Sequence, residues 1–575
     1  MAKLIDFKLS SSGYLDLADK ASLEGDVEKS VSYIRKALEI DDKNQEAYIA
    51  LAREYAILGA QELSNAVLFK ALALRPKQAD KDIIFQMLAM NFLDMNQAEV
   101  AEFYLQDYAD MLGIDFQELE EMETAAQNKR GGFRVVYPRG EDYYEMLIEK
   151  AYGLVRERKL DEAIALLDEV DPRSKSKDAA NHVVLVCLMM KEDIDGVIDN
   201  AKKMLRENPD SLAVRCTLST AYLMEGKEKE AYEVVDELVK KDFTKMEEIL
   251  LILPILVNLN MHVEVVKYTK RVLENINSQP NTMIWLSQAL YNLGAREEAK
   301  KVMRKVLTIY GEYSPAEYFL ALYAKEPAQV EYSMNYPQQE RLDRYKKLHD
   351  FLILQPAVAE ALLDSPEDPD DALFKYKKEL KSLLRWAFID GNAQIESLIV
   401  DTLDIIGSSW GEKLLREQLV SPELSFELMA DIVGTMFKRK LVHFDVVARG
   451  IFKEISFELP EVYFKASPFL TEVIEQGLFD IIYNDVEPNE YLKRYVDLVN
   501  ALVYFDESGK IVYQKPKIGR LKSAKTLVGV LICKVYEDEE EDPRPETIDG
   551  YDIKEKTFDK YWKILFGDDD GRKEK

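Results

Sequence analysis

Between Tyr144 and Tyr313, five blocks of similar pattern follow one another at an interval of 34 residues without slippage. They open at Tyr144, Asp178, Leu212, Met246 and Pro280. So constant an interval means one structural unit used repeatedly, each copy burying its apolar face against its neighbours. In the first block Leu147, Ala151, Leu154, Ala163, Leu167 and Val170 hold the apolar slots. In the last they are Leu286, Ser287, Leu290, Gly294, Ala299, Met303 and Val306. Small residues let paired segments approach closely, and the larger ones fill the wedge between units. The clearest copy lies outside this stretch, at Gln45–Gln78, with Tyr48, Leu51, Ala52, Tyr55, Gly59, Ser64, Leu68, Ala71 and Pro76.

This spacing resembles the tetratricopeptide repeat (TPR), which implies helix-turn-helix units stacked into a curved solenoid. A first copy spans Ser11–Asn44, with Tyr14, Leu17, Ala18, Ala21, Gly25, Ser30, Ile34 and Ala37 in the slots. A third follows Gln78 after a short slip, with Phe85, Leu88, Ala89, Phe92, Ala101, Leu105 and Tyr108. The resemblance covers Ser11 to Tyr313. Within it, Pro254 is expected to interrupt a first helix, and Asn260 replaces the turn glycine, so the fourth repeat of the second block is expected to be distorted.

The fold class that follows is mainly α: a TPR-like solenoid, a second helical region and a small α+β C-terminal module. The expected divisions are three repeats in 1–115, a helix and linker in 116–143, five repeats with a closing helix in 144–325, a connector in 326–338, a helical region in 339–500 and the module in 501–575. Phe116–Gln127 reads as an acidic helix, and Lys129–Arg139, which mixes four basic residues with Phe133 and Tyr137, reads as a solvated loop.

The resemblance implies that the first helix of each repeat lines a concave face. The residues on that stripe are His182, Val186 and Met189; Cys216, Thr220 and Leu223; Leu250, Pro254 and Val257; and Ile284, Gln288 and Tyr291. Family members that clamp a C-terminal carboxylate place Lys and Asn on this stripe, and none stands at these positions. The stripe is mostly apolar, with Met190 and Met224 nearby, which suits an amphipathic helix or an extended apolar segment. The alternatives are that curvature packs these residues on one another, or that a segment of the same chain covers them.

Composition narrows the partner. The formal charge is -29, from 105 acidic against 76 basic residues, which opposes wrapping a polyphosphate. Nucleic acid is therefore an unfavoured partner, and a protein or peptide the expected one. Cys187, Cys216 and Cys533 sit in apolar runs without framework spacing, as reduced thiols do, and no apolar run reaches the length of a membrane span. A cytoplasmic location is the expectation. His182 and Cys216 occupy equivalent slots, but two ligands do not make a structural metal site. With no HExxH, GxSxG or GxxxxGK[ST] present, no cofactor or catalytic residue is assigned and the chain reads as a non-enzyme. Two rival readings stay open: an enzyme with its site after residue 339, and a nucleic-acid regulator using Lys515, Lys517, Arg520, Lys522 and Lys525.

Beyond the repeats, helices are expected around Leu383–Phe388, Ile395–Ile406, Leu414–Leu419, Phe426–Phe437, Val446–Ile455 and Val462–Ile474. Paired, they are either HEAT-like or irregular. Ala501–Gln514 reads as a β-hairpin and Thr526–Tyr536 as a third strand. The basic run is expected to pair with Glu537–Asp542. The terminal helix Tyr551–Phe566 is expected to dock within the chain, on the C-terminal module or in the repeat groove.

Overall fold

Glu192, Gly226, Asn260 and Gly294 stand 34 residues apart, and all four have positive φ, at 60°, 73°, 54° and 90°. Each forms the turn between the two helices of one repeat, where a left-handed residue reverses the chain. Gly25 and Gly59 do the same near the N-terminus, at 76° and 71°. The computed structural model describes residues 10–567, apart from 96, 99, 106–140, 157–158, 169, 171–173, 175, 276–278, 311–313, 326–330, 355, 366–372, 391–392, 423, 538–542 and 552. The acidic helix and basic loop expected between Phe116 and Arg139 lie outside the described residues.

The described chain divides into two units, and the division falls within α2 (Val27–Ile40) and α3 (Gln45–Ile57). The first unit takes the described residues of 1–36, 54–60 and 117–340. It begins with α1 (Ser11–Leu23), and the chain's next two helices, α4 (Gln61–Ala73) and α5 (Gln78–Asp94), belong to the second unit. Its five helix pairs are α6 (Glu141–Arg156) with α7 (Leu160–Leu167), α8 (Lys177–Met190) with α9 (Ile194–Glu207), α10 (Leu212–Met224) with α11 (Glu228–Val239), α12 (Met246–Asn258) with α13 (His262–Asn275), and α14 (Pro280–Asn292) with α15 (Arg296–Tyr310). A closing helix, α16 (Ser314–Ala324), follows as expected.

One polar bond recurs inside these pairs. Ser219 Oγ donates to Ala231 O at 3.1 Å, and Ser287 Oγ to Ala299 O at 2.7 Å, at equivalent slots two repeats apart. The fourth repeat is not distorted. Helix α12 runs through Pro254, which is exposed together with Leu250, and Asn260 takes the turn conformation that glycine takes elsewhere. Proline removes one helical hydrogen bond on an exposed strip, and Asn is the non-glycine residue best suited to positive φ.

The second unit takes the described residues of 37–53, 61–116 and 341–575. Its repeat-derived part packs Ile49, Leu68, Phe69, Phe85, Leu88, Phe92 and Tyr104 into one core with Val420 and Val447. Then come α17 (Gln338–Leu352), α18 (Pro356–Asp364), α19 (Phe374–Asp390), α20 (Ala393–Ile406), α21 (Ser409–Leu419) and α22 (Phe426–Lys438). There the succession of helices stops. Instead of the helix expected at Val446–Ile455, β1 (His443–Ala448) and β2 (Ile451–Ser456) form an antiparallel hairpin. Its two-residue turn is Arg449-Gly450, with φ of 54° and 79°, a pairing that two-residue hairpins favour. The turn is held by Tyr104, whose hydroxyl donates to Gly450 O at 2.8 Å and accepts from Phe452 N at 3.1 Å.

Val462–Ile474 is also not one helix: a 3-10 turn at Tyr463–Lys465 precedes α23 (Pro468–Asn484), whose start is fixed by Pro468 and capped by Ser467. After α24 (Pro488–Leu502), β3 (Val503–Phe505) and β4 (Ile511–Tyr513) form the expected hairpin. The expected third strand is a helix, α25 (Ala524–Val535), capped by Ser523 Oγ accepting from Thr526 N. It is buried nearly all round, so its apolar run has no strand-like alternation to obey. Helices α26 (Arg544–Gly550) and α27 (Glu555–Phe566) close the chain, and Phe558, Tyr561, Trp562 and Leu565 of α27 lie in the same core as α25. The terminal helix thus docks on the C-terminal module. That core draws its members from Leu348 through Leu565.

Candidate functional site

The stripe predicted from the sequence lies on the first helices of the five-repeat block, and exposure divides it in two. Towards α8 and α10 it is accessible: His182, Val186, Met189, Thr220 and Leu223 are half-buried, and Leu250 and Pro254 are exposed. Burial lowers the His182 imidazole's pKa, against the pull of Asp178. Thr220 Oγ1 donates to Cys216 O at 3.1 Å. Towards α14 the stripe is covered: Val257, Ile284, Gln288 and Tyr291 are buried, as is Cys216 on α10. Burial pushes the Cys216 thiol up to about 12, which suits an inert apolar side chain. The stripe is therefore not a free surface along its whole length.

Over Cys216, Val257 and Tyr291, part of the cover is the segment from Glu331 to Tyr336, which falls in the connector expected at 326–338. Met334 is 1% exposed and shares a core with Cys216, Ile252, Val257 and Ala289. Three polar side chains hold the residues around it. Asn292 Nδ2 donates to Tyr332 O at 2.7 Å while its Oδ1 accepts from Tyr332 N at 3.0 Å. Asn258 Oδ1 accepts from Asn335 Nδ2 at 2.8 Å, and His262 Nε2 donates to the Glu331 carboxylate at 2.5 Å. The Tyr332 ring lies 5.7 Å from Tyr291, and Tyr291 stacks on Tyr323 at 4.1 Å.

Asn258 and Asn292 occupy one slot in consecutive repeats, the last residue of each first helix. Met224 and Met190 fill that slot in the two preceding repeats and stand 58% and 46% exposed. This slot lies one residue past the predicted stripe, and its recurrence every 34 residues was the signal that would have found it. Beside it, a cavity of about 420 Å³ is lined by Leu223, Tyr232, Asn258 and Leu259 among others.

The remaining candidate features hold no comparable site. Among the described residues no three His, Cys, Asp or Glu side chains group as metal ligands, and no helix is long and apolar enough to cross a membrane. In the basic run, Lys515 Nζ donates to Leu565 O at 2.6 Å and caps α27, while Lys517, Arg520, Lys522 and Lys525 are exposed. Glu537 pairs with Lys534, and 538–542, the rest of the acidic run expected to pair with these basic residues, lie outside the described residues.

A family model described as "Tetratricopeptide repeat" matches residues 280–313, the pair α14–α15. The chain carries tetratricopeptide repeats. Two solved structures are among those similar to it. The TPR domain of P58(IPK) is 15% identical, over 66% of this chain and 99% of that one, with a TM-score of 0.20. A structure of Naa15/Naa10 bound to HypK-THB is 12% identical, over 97% of this chain and 94% of that one, with a TM-score of 0.18. Superpositions that loose leave the TPR assignment resting on the family match and on the recurring turns and helix pairs. None of the curated proteins compared matches the sequence.

Proposed function

We propose that the chain is a non-catalytic interaction scaffold that binds a peptide or helix of a partner protein on the first-helix face of its TPR block. The observation that carries this reading is the exposed apolar strip left open there. Met190 and Met224 recur at one slot of adjacent repeats, Leu250 is exposed, and Val186, Met189 and Leu223 are half-buried beside them. Apolar side chains in a contiguous strip mark interaction surfaces, and methionine adapts its shape to a guest. The finer terms of the proposal, a cytoplasmic location and the absence of catalysis, rest on the reduced thiols and on the lack of a recognisable catalytic constellation.

The test is selection of displayed random peptides against the full chain, followed by rebinding to the Leu223→Glu variant. The reading expects peptides with apolar anchors whose binding falls by about tenfold or more when a carboxylate enters the strip. Peptides indifferent to Leu223→Glu, with helicity unchanged, would place the binding surface elsewhere.

A further inference from the structure

We infer that Glu331–Tyr336 is a built-in ligand, and that the site under it recognises a partner peptide of the same pattern: an acidic residue, then an aromatic, then an unbranched apolar residue two positions later, then a side-chain amide. This rests on the reading of the TPR face as a peptide-binding surface and names what its covered half takes.

Three observations separate a displaceable ligand from a permanent part of the fold. The segment is held as a guest would be. Among the described residues, the main chain from Glu331 to Asn335 bonds to no other main-chain group, and the main-chain N–H and C=O of Tyr332 are both served by the Asn292 side chain. Its one deep contact is Met334, a flexible side chain at a bend, while Glu331, Ser333 and Asn335 are exposed.

Second, polar groups buried beside the residues that hold the segment lack partners among the described residues. Gln288 is 0% exposed, and neither atom of its amide has a hydrogen-bond partner; Nδ1 of His262 is likewise buried and unpartnered. Gln288 lies one turn before Asn292 on the same face of α14, next to the amide that grips Tyr332. Buried polar groups in permanent cores are nearly always paired, so an orphan amide one turn from a working one is a contact open to a ligand. A partner peptide that satisfies Gln288 has an advantage the built-in segment lacks.

Third, the covered half continues into the open strip at the same slot, from Asn292 and Asn258 to Met224 and Met190. A partner peptide entering at the Asn pair therefore finds further apolar contacts that the built-in segment does not use. Because the segment is tethered, its effective concentration is in the millimolar range, and it masks the site against weak ligands.

The probe is a fluorescein-labelled synthetic peptide with the sequence of residues 329–338, followed by anisotropy against three forms of the full chain. These are the parent, Met334→Asp, and a form in which residues 331–336 are replaced by a Gly-Ser stretch of equal length. The replacement form keeps the test valid if the buried carboxylate disturbs folding, and circular dichroism verifies helicity in each. The expected result is that the peptide binds the emptied forms about tenfold or more tightly than the parent. Adding Asn258→Ala and Asn292→Ala should then abolish that binding. Equal affinity for parent and emptied forms overturns the inference, because the segment then competes for nothing. A parent that elutes as a dimer and becomes monomeric when 331–336 is replaced also overturns it, assigning the site to a second copy. Failure here with selected peptides still sensitive to Leu223→Glu leaves the scaffold reading intact; failure of both removes it.

Discussion

The hydroxyl of Tyr55 donates to the carbonyl of Ile309 at 2.9 Å, joining residues 254 positions apart within the first unit. Ile309 lies in the last turn of α15, where helical carbonyls lack partners of their own. Arg35 completes the cap. Its guanidinium donates to Tyr55 Oη at 2.7 Å and to Leu307 O at 3.4 Å, and it also reaches Ile309 O. Tyr55→Phe is expected to cost about 1 kcal/mol and Arg35→Met about 2 kcal/mol, the scale of a neutral and a charged hydrogen bond. Urea midpoints measure both, and a Tyr55→Phe protein with the parent's midpoint would show that the bond is idle.

Ala163 is 0% exposed at the contact between α6 and α7. Ala163→Asp puts a carboxylate into that contact, and the expected loss is several kcal/mol, on the order of a domain's entire stability. Circular dichroism should show a lower melting temperature or an unfolded repeat block; a parent-like melt contradicts the helix pairing described here.

How much of this was legible in the sequence depended on whether partners lay within one period. Gly25, Gly59, Gly226 and Gly294 announced the turns, and Ala151, Ala163 and Ala299 the close helix contacts, because each acts within its own repeat. The cover over the groove was not legible. Met334 meets residues of α12 and α14 whose contacts no periodicity encodes, and the three-slot stripe stopped one residue short of Asn258 and Asn292. The β1–β2 hairpin was missed for a different reason. Lys453 stands at an inward position of β2 and breaks the apolar alternation that identifies a strand. In α25 the misleading signal was Val528, Val530, Ile532 and Val535, β-branched residues chosen for burial, whereas the capping Ser523 and the 12-residue length favoured a helix.

Cys216 tests the groove from within. Burial holds its thiol at about 12, so at neutral pH almost none is thiolate, the reactive form. In the native chain, alkylation at Cys216 should be slower than at an unfolded cysteine by about a hundredfold or more. Mass-spectrometric mapping after brief iodoacetamide treatment distinguishes it from Cys187 and Cys533. Fast labelling of Cys216 in the native protein would mean that the covered half of the stripe is open.

The buried cation of the second unit gives a pH signature. Lys453 is 3% exposed, and its Nζ donates to Ile482 O and Tyr483 O, both at 2.9 Å, at the C-terminal end of α23. Burial lowers its pKa to about 8 from 10.5, with Asp485 opposing the shift. In the unfolded chain the amine keeps its proton up to its ordinary pKa, so between about 8 and 10.5 the unfolded state binds more protons than the folded one. Stability should therefore rise with pH across that window, by about 3 kcal/mol if the whole shift is expressed, and the charge penalty is fully present below it. Above about pH 10 the opposite sign enters, because burial raises Tyr463, Tyr495, Tyr536 and Tyr551, and the unfolded chain loses those protons first. Lys453→Met removes the rise and leaves the fall. The measurement is the difference between parent and Lys453→Met urea midpoints at several pH values from about 7 to about 10. A difference that stays flat from about 8 upward would mean that Lys453 titrates as an ordinary exposed lysine and that its burial does not lower its pKa.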